Sequence, residues 1–179
     1  MPRLFTALAI PDGIGAALSR YRGGLPGARW IEPPDYHVTL RFLGDVPGDR
    51  AEDFLEALAE ARPRPPLEIL LEGLSVFGGD KPRAILASVA GSAELDDLHA
   101  EQERIARRVG AEPERRRFTP HVTLARLNRS ASPEAVAMYL SQAGLFEPLR
   151  FTADAVTVFS ARESTGGGPY VAEAVFPFG

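Results

Sequence analysis

Alternating apolar and polar positions predict seven β-strands along this chain. The alternation is clearest in the tetrapeptide His-Val-Thr-Leu, where Val and Leu would occupy one face of a strand and His and Thr the other. The run Gly166-Gly167-Gly168 lacks the lysine and following helix of a phosphate-binding loop, so it is interpreted as a connection before the last strand. The predicted strands cover residues 3 to 10, 36 to 43, 67 to 76, 84 to 90, 120 to 127, 149 to 159 and 170 to 177.

Apolar residues at helical spacing predict four amphipathic helices between these strands. Asp12 is expected to cap the first helix, and Asp49 with Glu52 resembles a capping box at the start of the second. Ser92 is expected to cap the third helix, and Ser132, which a proline follows, the fourth. Strands and helices in this order indicate an α+β fold.

The order of elements repeats once along the chain. Residues 3 to 76 are predicted as strand, helix, His-Val-Thr-Leu strand, helix and strand, and residues 84 to 159 repeat the same five elements. Duplication explains this better than chance. We therefore expect one domain over residues 1 to 179, with two pseudo-symmetric lobes, mainly antiparallel sheets flanked by helices, and a central cleft between the lobes.

The repeated tetrapeptide carries the candidate chemistry. His37 and His121 titrate near neutral pH and stand beside hydroxyl donors, Thr39 and Thr123, which suits proton transfer at an anionic substrate. Two copies would supply one acid and one base. The third histidine, His99, is expected to form an ordinary surface pair four residues before Glu103 and to be dispensable.

Composition and charge narrow the possible functions. A net charge of −4 argues against a protein that coats nucleic acid through its overall field. The absence of cysteine removes thiol nucleophiles and disulfides. The apolar stretches are strand-sized and the first residues do not resemble a signal peptide, so a cytoplasmic protein is expected. A cluster of arginines before the second motif fits a small anion or a nucleic-acid end, although the first three would equally suit a solvated helix face: Arg104, Arg107, Arg108, Arg115, Arg116 and Arg117.

Two further arginines follow the motifs directly. Arg126 is the first candidate for binding a phosphate and Arg41 the second. Strict alternation places Arg41 on the face of His37 and Thr39 but places Arg126 on the opposite face. Arg126 reaches the cleft only if its strand ends or bulges near Ala125, and is otherwise structural. Four aromatic residues near the motifs suit either base stacking or the core: Trp30, Tyr36, Phe42 and Phe118.

The pair of His-x-Thr-x motifs resembles the two-histidine (2H) phosphoesterase superfamily, and within it the RNA 2',3'-cyclic phosphodiesterases, formerly called 2'-5' RNA ligases. The likeness spans nearly the whole chain. It includes the segment from Arg3 to Ala7, Trp30, the extended motifs from His37 to Gly44 and from Phe118 to Arg126, Phe159-Ser160, and Tyr170.

The resemblance implies hydrolysis of a terminal 2',3'-cyclic phosphate on RNA or a nucleotide to a 2'-phosphate, with no metal or other cofactor. It further implies His37 as proton donor and His121 as proton acceptor, and Tyr170 resembles a family position near the substrate groove. On the strand faces of the histidines, Thr39 and Thr123 are expected to donate hydroxyl hydrogen bonds to the phosphoryl oxygens, and Phe42 is a further candidate for binding the substrate. Cleavage of another 2'-linked phosphodiester, RNA ligation and non-catalytic binding of RNA ends remain alternatives, whereas a metal hydrolase lacks its usual His-Glu-x-x-His signature. A monomer without membrane contact is expected, because one chain supplies both halves of the site.

Overall fold

A computed structural model describes residues 3–161 and 169–179. Nine strands in this part of the chain form one sheet, and all the strand pairings are antiparallel. Four α-helices and one short 3₁₀ turn, Pro33–Asp35, accompany the sheet. The elements in chain order are β1 Arg3–Ala9, α1 Asp12–Ser19, β2 Ala28–Trp30, β3 His37–Asp45, α2 Gly48–Ala59, β4 Leu67–Phe77, β5 Ala84–Val89, α3 Ala93–Arg108, β6 His121–Leu127, α4 Pro133–Gln142, β7 Leu149–Ala153, β8 Ala155–Ala161 and β9 Tyr170–Pro177.

The two histidine-bearing strands are neighbours at the centre of the sheet. The strand order is β7-β4-β5-β6-β3-β1-β8-β9, and the short strand β2 pairs with β6. Strands β3 and β6 meet at a single residue pair, Val38 and Val122. Three strands continue the sheet on each side of this junction, which gives the two similar halves and confirms the α+β class.

The prediction of one strand over residues 149 to 159 is wrong. This segment forms two strands, and Asp154 separates them. Strand β7 pairs with β4 in one half of the sheet, whereas β8 pairs with β1 in the other. Its apolar alternation suits both strands, and only pairing with distant strands shows where the chain crosses between halves. Strand β2, which the sequence analysis missed, has three residues and is defined by its pairing with β6.

The helix starts separate into two kinds. Ser92 and Ser132 cap α3 and α4 as expected, and each side chain accepts a 3.1 Å hydrogen bond from a backbone N–H three residues on. Asp12 and Asp49 do not cap α1 and α2, because both lie inside the first helical turn. There a carboxylate still interacts favourably with the helix dipole. The predicted connection Gly166-Gly167-Gly168 lies outside the described residues.

The central strands have one apolar face and one polar face. Four side chains of the motifs belong to the main hydrophobic core, with residues from α1, α3 and α4: Val38, Leu40, Val122 and Leu124. Burial of these apolar side chains fixes the register of β3 and β6, because a slip by one residue would bury the polar face. The histidines and threonines of both motifs are therefore held on the opposite face.

Candidate active site

A cleft of about 370 Å³ lies over the junction of β3 and β6. Both histidines and both threonines of the repeated motif line this cleft, so the structure brings together the four residues at the centre of the sequence hypothesis. Further lining comes from both halves of the sheet and from the segment before β6. These residues include Asp35, Arg41, Phe42, Phe77, Arg83, His99, Glu114, Arg116, Arg117, Phe118, Arg126 and Tyr170.

The two histidines have matching hydrogen bonds. Nδ1 of His37 lies 2.8 Å from the backbone oxygen of Asp35, and Nδ1 of His121 lies 2.7 Å from that of Thr119. A carbonyl oxygen only accepts, so Nδ1 of each ring carries the donated proton. This fixes the tautomer when the ring is neutral and leaves Nε2 as the atom that gains or loses a proton. Each histidine is thus prepared for acid or base chemistry at Nε2.

A β-bulge follows the histidine and threonine in both strands. In β3, Thr39 pairs with Ala7 and Arg41 with Thr6, so Leu40 is the additional residue. In β6, Thr123 pairs with Leu86 and Ala125 with Ile85, so Leu124 is the additional residue. A bulge reverses the alternation of the residues beyond it. The two bulges therefore explain why Phe42 and Arg126, five positions after their histidines, line the cleft.

The bulges bring Phe42 and Arg126 to equivalent positions in the two halves. Arg126 is exposed, lines the cleft and lowers the pKa of both motif histidines through its charge. This is the arrangement that the sequence analysis required of Arg126 if it is to meet a phosphate. Phe42 is 47% exposed and its ring lies 5.2 Å from that of Phe5.

Arg41 is placed differently from the expectation of strict alternation. Its side chain touches the wall of the cleft but is only 6% exposed, and its Nε donates to Oε2 of Glu103 at 2.5 Å. The other guanidinium nitrogens donate to the backbone oxygens of Phe42 and Glu112. The bulge at Leu40 is the physical reason, because alternation no longer holds beyond it. These bonds tie β3 to α3 and to the segment that leads into β6.

The carboxylate of Glu103 is the centre of this network. It also accepts hydrogen bonds from Nε of Arg107 at 2.8 Å and from the backbone N–H of Glu114 at 3.1 Å. Burial acts to raise the pKa of Glu103, but the bonds from Arg41, Arg107 and Glu114 outweigh it and lower the pKa to about 2. The expected surface pair between Glu103 and His99 is replaced by this network.

The environment of the two histidines lowers both of their pKa values. Burial lowers the pKa of His37 to about 4, against the hydrogen bond to Asp35, and the charges of His121 and Arg126 lower it further. Burial also lowers the pKa of His121, again with a contribution from Arg126. Both rings are therefore neutral in the unliganded protein at pH 7. A bound anion would favour the protonated form of either ring.

Among the described residues, more aromatic rings surround His37 than His121. The ring centroids of Phe5, Tyr170 and Phe159 lie 4.9, 5.2 and 5.9 Å from that of His37. The backbone N–H of Tyr170 also donates to Asp35, the residue whose carbonyl orients His37. These contacts hold the imidazole in place and make its side of the cleft apolar.

His121 has a single aromatic neighbour among the ring contacts of the described residues. Phe77 approaches it edge to face at 4.8 Å. Its position at the end of β4 corresponds to that of Phe159 on β8, since β4 pairs with β5 as β8 pairs with β1. The sequence does not single out Phe5 or Phe77, because pairing across the sheet brings them to the histidines. Asp35 is brought to His37 by the short turn directly before β3.

The remaining candidates differ in location. Trp30 packs against Tyr139, and Tyr36 is buried, so both contribute to the core. Phe118 lines the cleft and stacks on His99, which corrects the expectation that His99 is an ordinary surface residue. Of the six clustered arginines, Arg116 and Arg117 reach the cleft, whereas α3 presents Arg104, Arg107 and Arg108 at its exposed face.

The described part of the chain lacks two features. Residues 3–161 and 169–179 contain no group of three or more histidine, aspartate and glutamate side chains placed to hold a metal ion. Within the same residues, none of the helices has the length and apolar character needed to cross a membrane.

Comparison with known proteins gives one family. The model of the 2'-5' RNA ligase superfamily matches residues 10–165. A protein of Aeropyrum pernix named RNA 2',3'-cyclic phosphodiesterase is 37% identical over 123 residues, which are 68% of this chain and 69% of that protein. A protein of the same name from Geobacillus stearothermophilus is 34% identical over 167 residues, 89% of this chain. The matched region is 49% of the Geobacillus protein, so the chain spans about half of its length.

Solved structures have the same fold. The crystal structure of TT0787 of Thermus thermophilus has a TM-score of 0.80 at 22% sequence identity, and the match covers 98% of this chain and 97% of that one. The structure of E. coli LigT in complex with 3'-AMP has a TM-score of 0.77 at 22% identity, with 99% of both chains covered. These likenesses concern the fold.

Proposed function

The chain belongs to the 2'-5' RNA ligase superfamily, and from that premise we propose that it is an RNA 2',3'-cyclic phosphodiesterase that opens terminal cyclic phosphates to 2'-phosphates. The observation that carries the proposal is the matched pair of histidines, each with Nδ1 bound to a carbonyl and Nε2 left for chemistry, in one cleft. Relatives named RNA 2',3'-cyclic phosphodiesterase over most of the chain support the substrate class.

The proposed reaction is an in-line attack of water on the cyclic phosphate. His121 takes a proton from water as its oxygen bonds to phosphorus, the bond from phosphorus to O3' breaks, and His37 gives a proton to O3'. Each assisted proton transfer typically contributes ~10² to 10⁴ in rate. The product has a 2'-phosphate and a 3'-hydroxyl, and the two histidines have exchanged protonation states.

The asymmetry of the cleft supports His37 as the donor. The leaving O3' belongs to the terminal ribose, so the nucleoside lies on the side of the acid, and the attacking water lies opposite. Phe42 is half-exposed on the His37 side, where it offers a surface on which a base can stack, and Tyr170 borders the same side. The aromatic side suits the nucleoside, which leaves the side of His121 for water.

The charge that develops on the phosphoryl oxygens has three candidate partners. Thr39 and Thr123 lie on the same strand faces as the histidines and can each donate a hydroxyl hydrogen bond. Arg126 supplies positive charge at the bulge. Arg41 contributes at a distance, because its donors are used by Glu103 and backbone oxygens.

The protonation states follow from the same geometry. One histidine must be charged when the reaction begins, although both pKa values are lowered in the unliganded protein. The cyclic phosphodiester has one negative charge, and its binding beside the rings raises both pKa values. Substrate binding therefore favours protonation of His37, which later donates this proton. In this mechanism a metal ion is not needed, because imidazoles supply both proton transfers.

Two properties of the whole protein belong to the proposal. We expect it to act as a monomer, because β3 and β6 of one chain already form the complete site. We also expect it to act in the cytoplasm on RNA or nucleotide ends.

The test is hydrolysis of a short RNA that ends in a 2',3'-cyclic phosphate, with EDTA present. We expect a 2'-phosphate product from the unaltered protein and losses of at least ~10²-fold in His37→Ala and in His121→Ala. Arg129→Ala, which changes an exposed residue outside the cleft lining, serves as the control. Full activity of either histidine variant, or a 3'-phosphate product, would overturn the mechanism.

A further inference from the structure

His99 and Phe118 form the closest parallel ring pair among the described residues. Their centroids lie 3.9 Å apart and their planes differ by 6°. His99 belongs to α3, and Phe118 precedes the motif of β6, so the pair joins a helix to the segment that leads into the catalytic strand. Both residues are only partly buried and both line the cleft. The chemical mechanism above uses neither of them.

The ring pair is connected through α3 to β3, the strand that carries Phe42 on the proposed nucleoside side. Arg41 precedes Phe42 in β3 and binds Glu103, which lies one helical turn after His99. Glu103 in turn binds the backbone N–H of Glu114, in the segment that carries Phe118. The ion pair between Arg41 and Glu103 therefore connects β3 to the helix and the segment that carry the stacked rings, through partly buried hydrogen bonds.

The charges beside the ring pair suit a nucleic-acid backbone. Arg117 is adjacent to Phe118, is exposed and lines the cleft, and the described residues give it no ion pair. Arg116 pairs with Glu114 at 3.6 Å at the same edge. Burial lowers the pKa of His99, so its ring is neutral at pH 7 and stacks as a neutral heteroaromatic. A flat aromatic surface beside an unpaired cation is the combination that binds single-stranded RNA.

We propose that the stacked rings of His99 and Phe118 are a second base-binding platform, which holds the nucleotide that precedes the terminal cyclic phosphate, with Arg117 beside its backbone. The proposal rests on the function proposed above and deepens it, because it makes an RNA chain a better substrate than a cyclic mononucleotide. It also gives His99 a role in substrate binding that the catalytic motif does not require.

The experiment compares two substrates with the same terminal base, a trinucleotide 2',3'-cyclic phosphate and a cyclic mononucleotide. The unaltered protein should have the higher kcat/KM on the trinucleotide. His99→Ala and Phe118→Ala should each lower kcat/KM on the trinucleotide by about 5- to 150-fold, the range for loss of one stacked base. On the mononucleotide the change should stay below about twofold, within ordinary variation.

Control variants separate an effect on substrate binding from a loss of folded protein. His99→Phe and Phe118→Tyr keep the stacked rings and should retain most of the preference for the trinucleotide. Phe146→Ala removes a ring that stacks on Tyr21 away from the cleft, and it should leave the ratio of the two substrates unchanged. The ratio is independent of the fraction of folded protein, because both substrates are assayed on the same preparation.

The outcomes distinguish the two proposals. If the unaltered protein hydrolyses neither substrate, the proposed function falls. If it hydrolyses both without preferring the trinucleotide, or if His99→Ala and Phe118→Ala change both substrates equally or change neither, only the base-binding platform is overturned.

Discussion

The two halves of the cleft share a backbone and differ in the residues that follow the bulge. Both strands present His, Thr and a bulged Leu in the same order, and both histidines bind a carbonyl two residues earlier. After the bulge, β3 continues with Arg41 and Phe42, whereas β6 continues with Ala125 and Arg126. The shared part supplies two imidazoles with equivalent hydrogen bonds. The part that differs makes one side of the cleft aromatic and the other cationic.

Under the proposed mechanism, the difference between the halves gives a duplicated motif two roles. Identical tetrapeptides cannot by themselves distinguish an acid from a base. We propose that the distinction comes from the unequal surroundings: Phe42 and Tyr170 lie on the side of His37, whereas Arg126 of β6 adds a positive charge that acts on both histidines. Under the proposed mechanism, the orientation of the substrate decides which imidazole meets the leaving oxygen.

The largest effect is expected from removing either of the two proposed proton carriers. His37→Gln and His121→Gln should each lower kcat by ~10² to 10⁴. The double variant should be no slower than the worse single variant, because groups that act as one unit give non-additive losses. Steady-state kinetics on one cyclic-phosphate substrate measures all three variants. Losses that multiply in the double variant would show that the halves act independently.

The next largest effect is expected from making the halves alike at the second position after the bulged leucine. Arg126→Phe gives β6 the residue that β3 has at Phe42, and it should lower kcat by ~10² to 10³, as for the loss of one donor to a developing anion. Arg129→Phe is the matched control at an exposed position outside the cleft lining. An unchanged kcat in Arg126→Phe would mean that the threonines suffice for the phosphoryl charge.

The third prediction concerns stability at the other unequal position. Arg41→Ala gives β3 the residue that β6 has at Ala125, but it leaves Glu103 without its most buried partner. Removing one member of a buried ion pair typically costs ~3 to 5 kcal/mol, and the remaining bonds from Arg107 and Glu114 place this case at the lower end. Urea denaturation at pH 7 measures the free energy of unfolding.

The same network predicts a pH dependence of stability. The folded pKa of Glu103, about 2, lies below its ordinary value of 4.5. Its stabilising contribution is therefore fully present above about pH 4.5 and is lost as the pH falls towards 2. Glu103→Gln should show a weaker loss of stability over this range than the unaltered protein. An equally steep loss in both proteins would show that other carboxylates govern acid unfolding.

The sequence was sufficient for much of the site but not for its asymmetry. Alternation within His-Val-Thr-Leu predicts correctly that His37 and Thr39 share a face opposite Val38, because local strand geometry decides it. Alternation fails for Arg41, since the bulge at Leu40 depends on how β1 pairs with β3. It also fails over residues 149 to 159, where pairing with β4 and β1 divides one apolar run into two strands.

The smallest effect is a displacement of the pH profile, and it tests how the shared surroundings act on both histidines. Burial and the charge of Arg126 lower both pKa values below the usual 6.5, to about 4 for His37. The proposed reaction needs one charged and one neutral imidazole, and this form is most abundant between the two pKa values of the free protein. The optimum of kcat/KM should therefore lie below about pH 6.5, with a decline approaching tenfold per pH unit above the higher pKa.

The profile of kcat should lie at higher pH than that of kcat/KM, because the bound phosphodiester anion raises both pKa values and kcat reports the complex. Arg126→Gln should move the falling limb of kcat/KM to higher pH, since removal of its charge raises the pKa of each histidine. Arg129→Gln, at an exposed position outside the cleft lining, should leave that limb in place. Two results would mean that the imidazoles are not the groups whose protonation limits the reaction. One is an optimum of kcat/KM above about pH 7.5 for the unaltered protein, and the other is a falling limb that Arg126→Gln does not move.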